Sequence, residues 1–498
     1  MWLGLKDQPS IANIFNPSLL KALIFNFVSN LGNIDYPSPV LGNETCGRLF
    51  CYQRNSNKMS NRFLHFLFFV LISLTLFSCK TGSVNLFKAA TPHEQYQRKL
   101  INAGLDQTAM GSAWIKSASL SLEKALNITL PYQETGYFAS DKAPADAYQF
   151  TATKGQKINI SITKKPANAA MLYLDVWHFP VGGSSKLVAS ADTLNNPIQY
   201  EIDVTGNYLI RLQPELLQSV QYTLEITTGP SLSFPTSTNS SKSIGSYWGD
   251  GRDNNARKHE GVDIFGKFRS PVLAIAEGTV TRVNENNLGG KVVWLRPKGK
   301  DYTLYYAHLD EQIASEGQDV KVGDTIGLMG NTGNAKNTAT HLHFGIYAPD
   351  GAMNPLPFID PVTKTPQKIT ASVNNLNKTL RTSKAVNFLN APLPGAAVVE
   401  RLSIASIVNV QSATGTFYKA ELPDGKIGFV QSTALSEITR PLKKIKINML
   451  QKMVYDQPER TAAIKKTLTN GQLVNVLGSF GDYQFISDEG ALTGWIVK

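Results

Sequence analysis

KHEGVDI (residues 258–264), YYAHLD (305–310) and HLHFGIY (341–347) carry four of the chain's seven histidines: His259, His308, His341 and His343. Such clustering in a His-poor chain points to one site. HLHFGIY, apolar and aromatic, reads as a strand. Its side chains alternate between faces. His341, His343 and Tyr347 then share one face, and Leu342, Phe344 and Ile346 share the other. His259 and Asp263 are four apart, a spacing that aligns them in an extended segment and equally in a helix. Gly261 and Val262 favour the extended form. YYAHLD is a third short β segment and delivers His308. Imidazoles grouped with a carboxylate suggest Zn²⁺ more than any other metal.

The three patterns, with SPVLAIAEGTV (270–280) and VKVGDTIGLMGNTGN (320–334) around them, resemble the lysostaphin-type (LytM-like) zinc metallopeptidases, peptidoglycan endopeptidases whose signature is HxxxD, a separate His and HxH in that order. The resemblance covers roughly residues 248–358. It implies a mostly antiparallel β domain with one zinc, held by His259, Asp263 and His343, and two catalytic non-ligand histidines, His308 and His341. Three protein ligands leave a fourth position for water, whose pKa a catalytic zinc lowers towards ~7. In this scheme His341 is the general base and His308 stabilises the oxyanion. The chain departs from the family in two places. Gly345 stands where a Glu usually follows HLHF, and the loop NAKNTAT (334–340) is longer than the usual Ser-Thr-Gly run. Asn254 or Asn255, in the Gly/Asn-rich loop before the first ligand, is a candidate cap on the metal in a resting form.

A chain of 498 residues is expected to hold three or four domains. Its net charge of +11 is spread, with no dense Lys/Arg run interleaved with aromatics. Nucleic acid is therefore not expected as a partner, and anions of a cell wall or membrane surface fit better. The cysteines are Cys46, Cys51 and Cys79, so no disulfide framework exists beyond Cys79.

Residues 1–58 lack periodicity and read as an overcalled start. MSNRFLHFLFFVLISLTLFSC (59–79) resembles a bacterial lipoprotein signal peptide, with Arg62 before an apolar run and a small residue before Cys79. The expected mature chain starts at a lipid-modified Cys79 and is anchored to a membrane outside the cytoplasm. An uncleaved anchor helix is the alternative. Residues 79–130 read as a linker with helical content. Residues 131–228 alternate with Gly and Asn turns and read as a jelly-roll-like β-sandwich. Residues 229–244 (PSLSFPTSTNSSKS within them) read as a Ser/Thr/Pro-rich linker, and 245–360 as the peptidase domain. Residues 372–440 and 443–498 end alike, in DGKIGFVQ and EGALTGWIV, and resemble tandem bacterial SH3-like barrels; one larger barrel is the alternative. Phe417, Tyr418 and Tyr483 there are candidates for ligand contact or barrel core. The expected fold class is thus mainly β and multidomain, with a short helical N-terminal region.

The expected function is hydrolysis of peptidoglycan peptide bonds by a lipid-anchored zinc endopeptidase. Two alternatives stand beside it. One is a non-enzymatic activator or scaffold for other wall hydrolases, in which ligands are lost. The other is a wall-binding module alone. If the C-terminal pair only targets the wall, a chain stopped after about Asp360 keeps peptide hydrolysis and loses activity on intact sacculi.

Overall fold

A computed structural model describes residues 89–498, apart from 168–169, 181, 193–195 and 253. The expected overcalled start, signal segment and lipidation site at Cys79 lie outside the described residues. Among the described residues, no helix is long and apolar enough to cross a membrane. The fold is mainly β, as the alternation indicates.

Two helices open the described chain. Pro92–Asn102 starts at a capping box: the Thr91 hydroxyl accepts from Glu94 N, and the Glu94 carboxylate accepts from Thr91 N. Ala109–Glu123 is capped by Thr108. The segment read as a linker is tied to the sandwich by Trp114. Its ring is fully buried and stacks on His93 at 4.8 Å, and its Nε1 donates to Pro214 O at 2.8 Å.

The sandwich has two sheets. One contains Asp146–Ala152, Gly206–Pro214 and Leu172–Phe179 as central strands. The other contains Tyr132–Phe138, Val220–Pro230, Gln156–Lys165 and Ile198–Glu201. Ile158, Val176, Ile210, Leu224 and Ile226 fill the space between them. The second sheet does not end at Tyr132–Phe138. That strand pairs with Ile407–Thr414 of the C-terminal region, Thr135 opposite Ala413 and Gly136 opposite Ser412. An open sheet edge is a template for pairing, and here the chain covers it with its own residues.

A polar cluster is buried under this junction. The Glu134 carboxylate accepts from the hydroxyls of Tyr132 (2.8 Å), Tyr148 (2.5 Å), Tyr222 (2.7 Å) and Ser412 (2.9 Å). The Lys419 ammonium, fully buried, sits 2.6 Å from Asp146 Oδ2 and donates to Tyr148 at 2.8 Å. Burial would push the Glu134 carboxyl up, but the Lys419 charge and the three phenols hold it below the usual range. For Asp146 burial prevails over Lys419, and the carboxyl is pushed up.

The segment read as a Ser/Thr/Pro-rich linker is partly built into the β unit that follows it. Phe234 is buried in its core with Leu232 packed alongside, Leu273 N donates to Pro235 O, and Thr236 bridges to Val272. The physical reason is two apolar residues in a Ser/Thr/Pro background. Each alternates with a small polar residue, so each can be buried without stranding polar groups.

In residues 372–440 Phe417 and Tyr418 are both buried, on opposite faces of Phe417–Glu421 and in different apolar clusters. They serve as core. Residues 443–498 form a six-stranded sheet, from Lys443–Lys446 to Thr493–Val497. Arg381 donates to Leu477 O at 2.8 Å, and Ile407 packs with Tyr455 and Trp495, which joins the two C-terminal units.

Candidate metal centre

The centre is built on two neighbouring strands. Val262–Phe265 runs antiparallel to His341–Ala348, with Asp263 opposite His343 and Phe265 opposite His341. His341–Ala348 pairs on its other side with Thr303–Gln312, Ala307 opposite His343. The undersides, Val262, Ile264, Leu342, Phe344 and Ile346, are buried in one apolar core. The alternation in HLHFGIY therefore holds: one face anchors the sheet and the other presents imidazoles.

His308 reaches this face by a different route. Tyr305 and Ala307 already occupy the site side, so plain alternation would turn His308 away. Against the neighbouring strand Gly290–Pro297, Tyr306 pairs with Val293 and Leu309 with Lys291, leaving one extra residue in the His308 strand. This bulge, with His308 at φ 60°, turns the imidazole back to the site. Its ring centroid then lies 4.9 Å from that of His341 and 5.9 Å from that of His343. Left-handed backbone at a non-glycine residue costs ~1–3 kcal/mol, and the fold holds it with a hydrogen bond from His308 N to Gly289 O at 2.7 Å.

His259 Nε2, Asp263 Oδ1 and His343 Nδ1 converge. The contacts are 2.9 Å between the two imidazoles and 3.0 Å from each to the carboxylate oxygen. Ligands about 2.0–2.1 Å from a tetrahedral zinc stand roughly 3.3 Å apart, so opening by a few tenths of an ångström admits the ion. The donor set of two imidazoles and one carboxylate suits zinc chemistry. His259 Nδ1 donates to Tyr247 O at 2.9 Å, which fixes the tautomer with the Nε2 lone pair facing its partners. Burial opposes charge on Asp263, but its contacts with the His259 and His343 rings outweigh it and hold the carboxyl well below its usual range. Burial lowers the His343 pKa despite the nearby Asp263. Burial, then the neighbouring His341 and His343, lower that of His308 to about 4. At neutral pH Asp263 is therefore an anion, and the His343 and His308 imidazoles are neutral. Gly261 makes room for it, because a Cβ there would meet the His343 ring at 2.7 Å.

His308 and His341 each commit Nδ1 to a backbone carbonyl: Thr332 O at 2.9 Å and Ala339 O at 2.8 Å. Ala339 lies in the long loop noted above. A carbonyl only accepts, so Nδ1 carries the proton and Nε2 is the remaining nitrogen on each ring. Asp310, also in YYAHLD, is turned away and pairs with Arg269. Asn254 and Asn255, the candidate caps, precede the first ligand. Both are exposed with positive φ at the turn of the hairpin joining Gly251–Arg252 to Arg257–Lys258, and Asn255 folds back over Gly251. Gly345, the departure from the Glu of the family, leaves space for the Tyr347 ring, which a Cβ would meet at 2.9 Å.

One residue was not legible in the sequence. Arg252 donates to Asp263 Oδ2 at 2.7 Å and to Ser246 Oγ at 2.7 Å. It lies in GDGRDNNARK, read as an irregular loop. The available signal was the Asn-Asn pair, which favours a tight turn with positive φ and so a hairpin carrying Arg252 on one arm. Arg252 holds one carboxylate oxygen and leaves the other for a metal. Arg252→Gln is expected to weaken zinc affinity roughly 10–100-fold, as measured by chelator competition. An unchanged affinity would assign Arg252 to loop structure alone. An open groove of about 800 Å³ at the seam with the sandwich contains none of these side chains.

The profile of peptidase family M23 matches residues 257–355. An uncharacterized metalloprotease of Haemophilus influenzae is 42% identical over 101 residues, 20% of this chain and 21% of that protein. An L-Ala--D-Glu endopeptidase of Bacillus subtilis is 34% identical over 126 residues, 24% of this chain and 38% of that protein. The murein hydrolase activator NlpD of Escherichia coli is 33% identical over 101 residues, 20% of this chain and 26% of that protein. The chain thus spans between about a fifth and two fifths of the length of these relatives.

Proposed function

We propose, from the premise that residues 257–355 form a peptidase family M23 domain, that this chain is a zinc metalloendopeptidase hydrolysing peptide bonds of bacterial peptidoglycan. We place it outside the cytoplasm, anchored through a lipid on Cys79. The observation that carries the reading is the convergence of His259 Nε2, Asp263 Oδ1 and His343 Nδ1 beside two imidazoles with committed Nδ1 atoms. His259, Asp263 and His343 would hold the ion. Bound zinc supplies Lewis acidity, polarising an amide carbonyl and lowering the pKa of a water towards ~7.

The histidines do the proton work. His341 accepts the proton of the attacking water at Nε2 and returns it to the leaving amine. His308, neutral and with its Nδ1 proton on Thr332 O, first offers an acceptor at Nε2 and so orients the same water. It stabilises an oxyanion only once protonated, a refinement of the role implied by resemblance. Asp263 stays ionised and balances the cation, and Arg252 keeps its carboxylate in place.

The similarity to an activator favours one competing reading, a scaffold that switches on another hydrolase. The two separate on soluble disaccharide-peptide fragments with no other hydrolase present. The enzyme reading expects cleavage by the full chain alone, with His308→Ala and His341→Ala each lowering kcat by ~10²-fold or more while zinc stays bound. Product only after a second hydrolase is added would establish the scaffold instead.

A further inference from the structure

Residues 438–455 contain Arg440, Lys443, Lys444, Lys446 and Lys452 and no Asp or Glu. Over the whole chain the charge reads as spread, but this stretch concentrates it. Residues 447–450 connect the strands Lys443–Lys446 and Gln451–Tyr455. The base of this loop is fixed. Ile447 is buried, its N donates to Gln472 O at 2.9 Å, and its O accepts from Gly471 N at 2.8 Å. The tip is apolar and in water: Leu450 is 88% exposed and Met449 55%. On the adjacent strand Leu473, 46% exposed, stands opposite Lys446, and the Lys452 ammonium lies 3.8 Å from Met449 Sδ. An aliphatic tip thus rises beside Lys446 and Lys452, with Lys443 and Lys444 further along the strand of Lys446.

We propose that this tip is a membrane-contact site and that its partner is an anionic lipid bilayer. Leucine and methionine gain from an acyl phase what water denies them. Lysines around them keep their ammonium groups at the phosphate level while their stems lie along the apolar layer. Each such cation adds to the attraction of a negative leaflet. Wall glycan and stem peptides offer no acyl phase for a leucine, so lipid is the better match to the tip. The contact is independent of the metal centre. It sits in the last unit of the chain, and it would hold that end of the protein at a membrane surface as a second point of attachment beside any lipid modification.

Hydrogen exchange read by mass spectrometry tests this on the full chain, because the readout is local and does not depend on what else holds the protein to a vesicle. With phosphatidylcholine vesicles containing one third phosphatidylglycerol, amides of residues 447–452 should exchange about tenfold slower or more. Pure phosphatidylcholine should give little protection, and high salt should remove it. Leu450→Asp and Lys444→Glu/Lys446→Glu should each abolish it. All these side chains are exposed, so the fold is retained, as unchanged exchange elsewhere would verify. Equal protection by both vesicle types, none by either, protection by isolated sacculi in place of vesicles, or persistence in Leu450→Asp would each overturn the proposal.

Discussion

Asp263→Ala should leave the chain without zinc and lower peptide hydrolysis by roughly 10³-fold or more. The carboxylate is the one anion in the centre, and its Oδ1 touches both imidazoles of the set at 3.0 Å. Without it, the His259 and His343 nitrogens face each other and the Arg252 guanidinium, which can only repel a cation. Asp263→Asn keeps the shape and loses the charge, so it should fall between the two. Metal content by mass spectrometry and hydrolysis rate are measured on the same preparation. Full zinc occupancy in Asp263→Ala would remove Asp263 from the ligand set.

Lys419→Met should be the most destabilising single change outside the centre, by about 3–5 kcal/mol. Lys419 is fully buried between Asp146 and Tyr148, within the cluster that includes Glu134. Removing the ammonium leaves two buried carboxyl groups with no cation. The urea midpoint should fall, and replacing Glu134 and Asp146 by Gln and Asn in the same chain should restore part of the loss. Zinc affinity should not change. A midpoint equal to the parent's would mean that the cluster is open to water. The same junction alters the meaning of a truncation after Asp360. That chain would lack Ile407–Thr414, expose the edge of Tyr132–Phe138 and lose Lys419. Its activity on sacculi would then report on folding as well as on targeting.

The sequence made the strand HLHFGIY legible because alternation is a local property, and the structure keeps it residue by residue. His308 shows the limit. Its presence in YYAHLD was visible, but alternation from Tyr305 points it away, and only a bulge set by pairing with Gly290–Pro297 brings it in. Arg252 was hidden for a similar reason, since the value of a loop residue depends on what the loop folds against. The junction of Tyr132–Phe138 with Ile407–Thr414 joins segments far apart in the chain, and nothing local marks Glu134 and Lys419 as partners. Leu232 and Phe234 were masked by the Ser, Thr and Pro around them. Composition describes a flexible linker well when no apolar residue in it is buried.

The proposed metal-dependent hydrolysis is tested most directly by incubating the full chain with isolated sacculi, with no other hydrolase present. The new amino termini released are counted before chelation, after chelation and after zinc is restored. The expected result is steady appearance of free amines, their arrest by chelator and their return with stoichiometric zinc, with no return in Asp263→Ala. Amine release that continues at the same rate in the chelated protein, or that never appears with zinc bound, would contradict it.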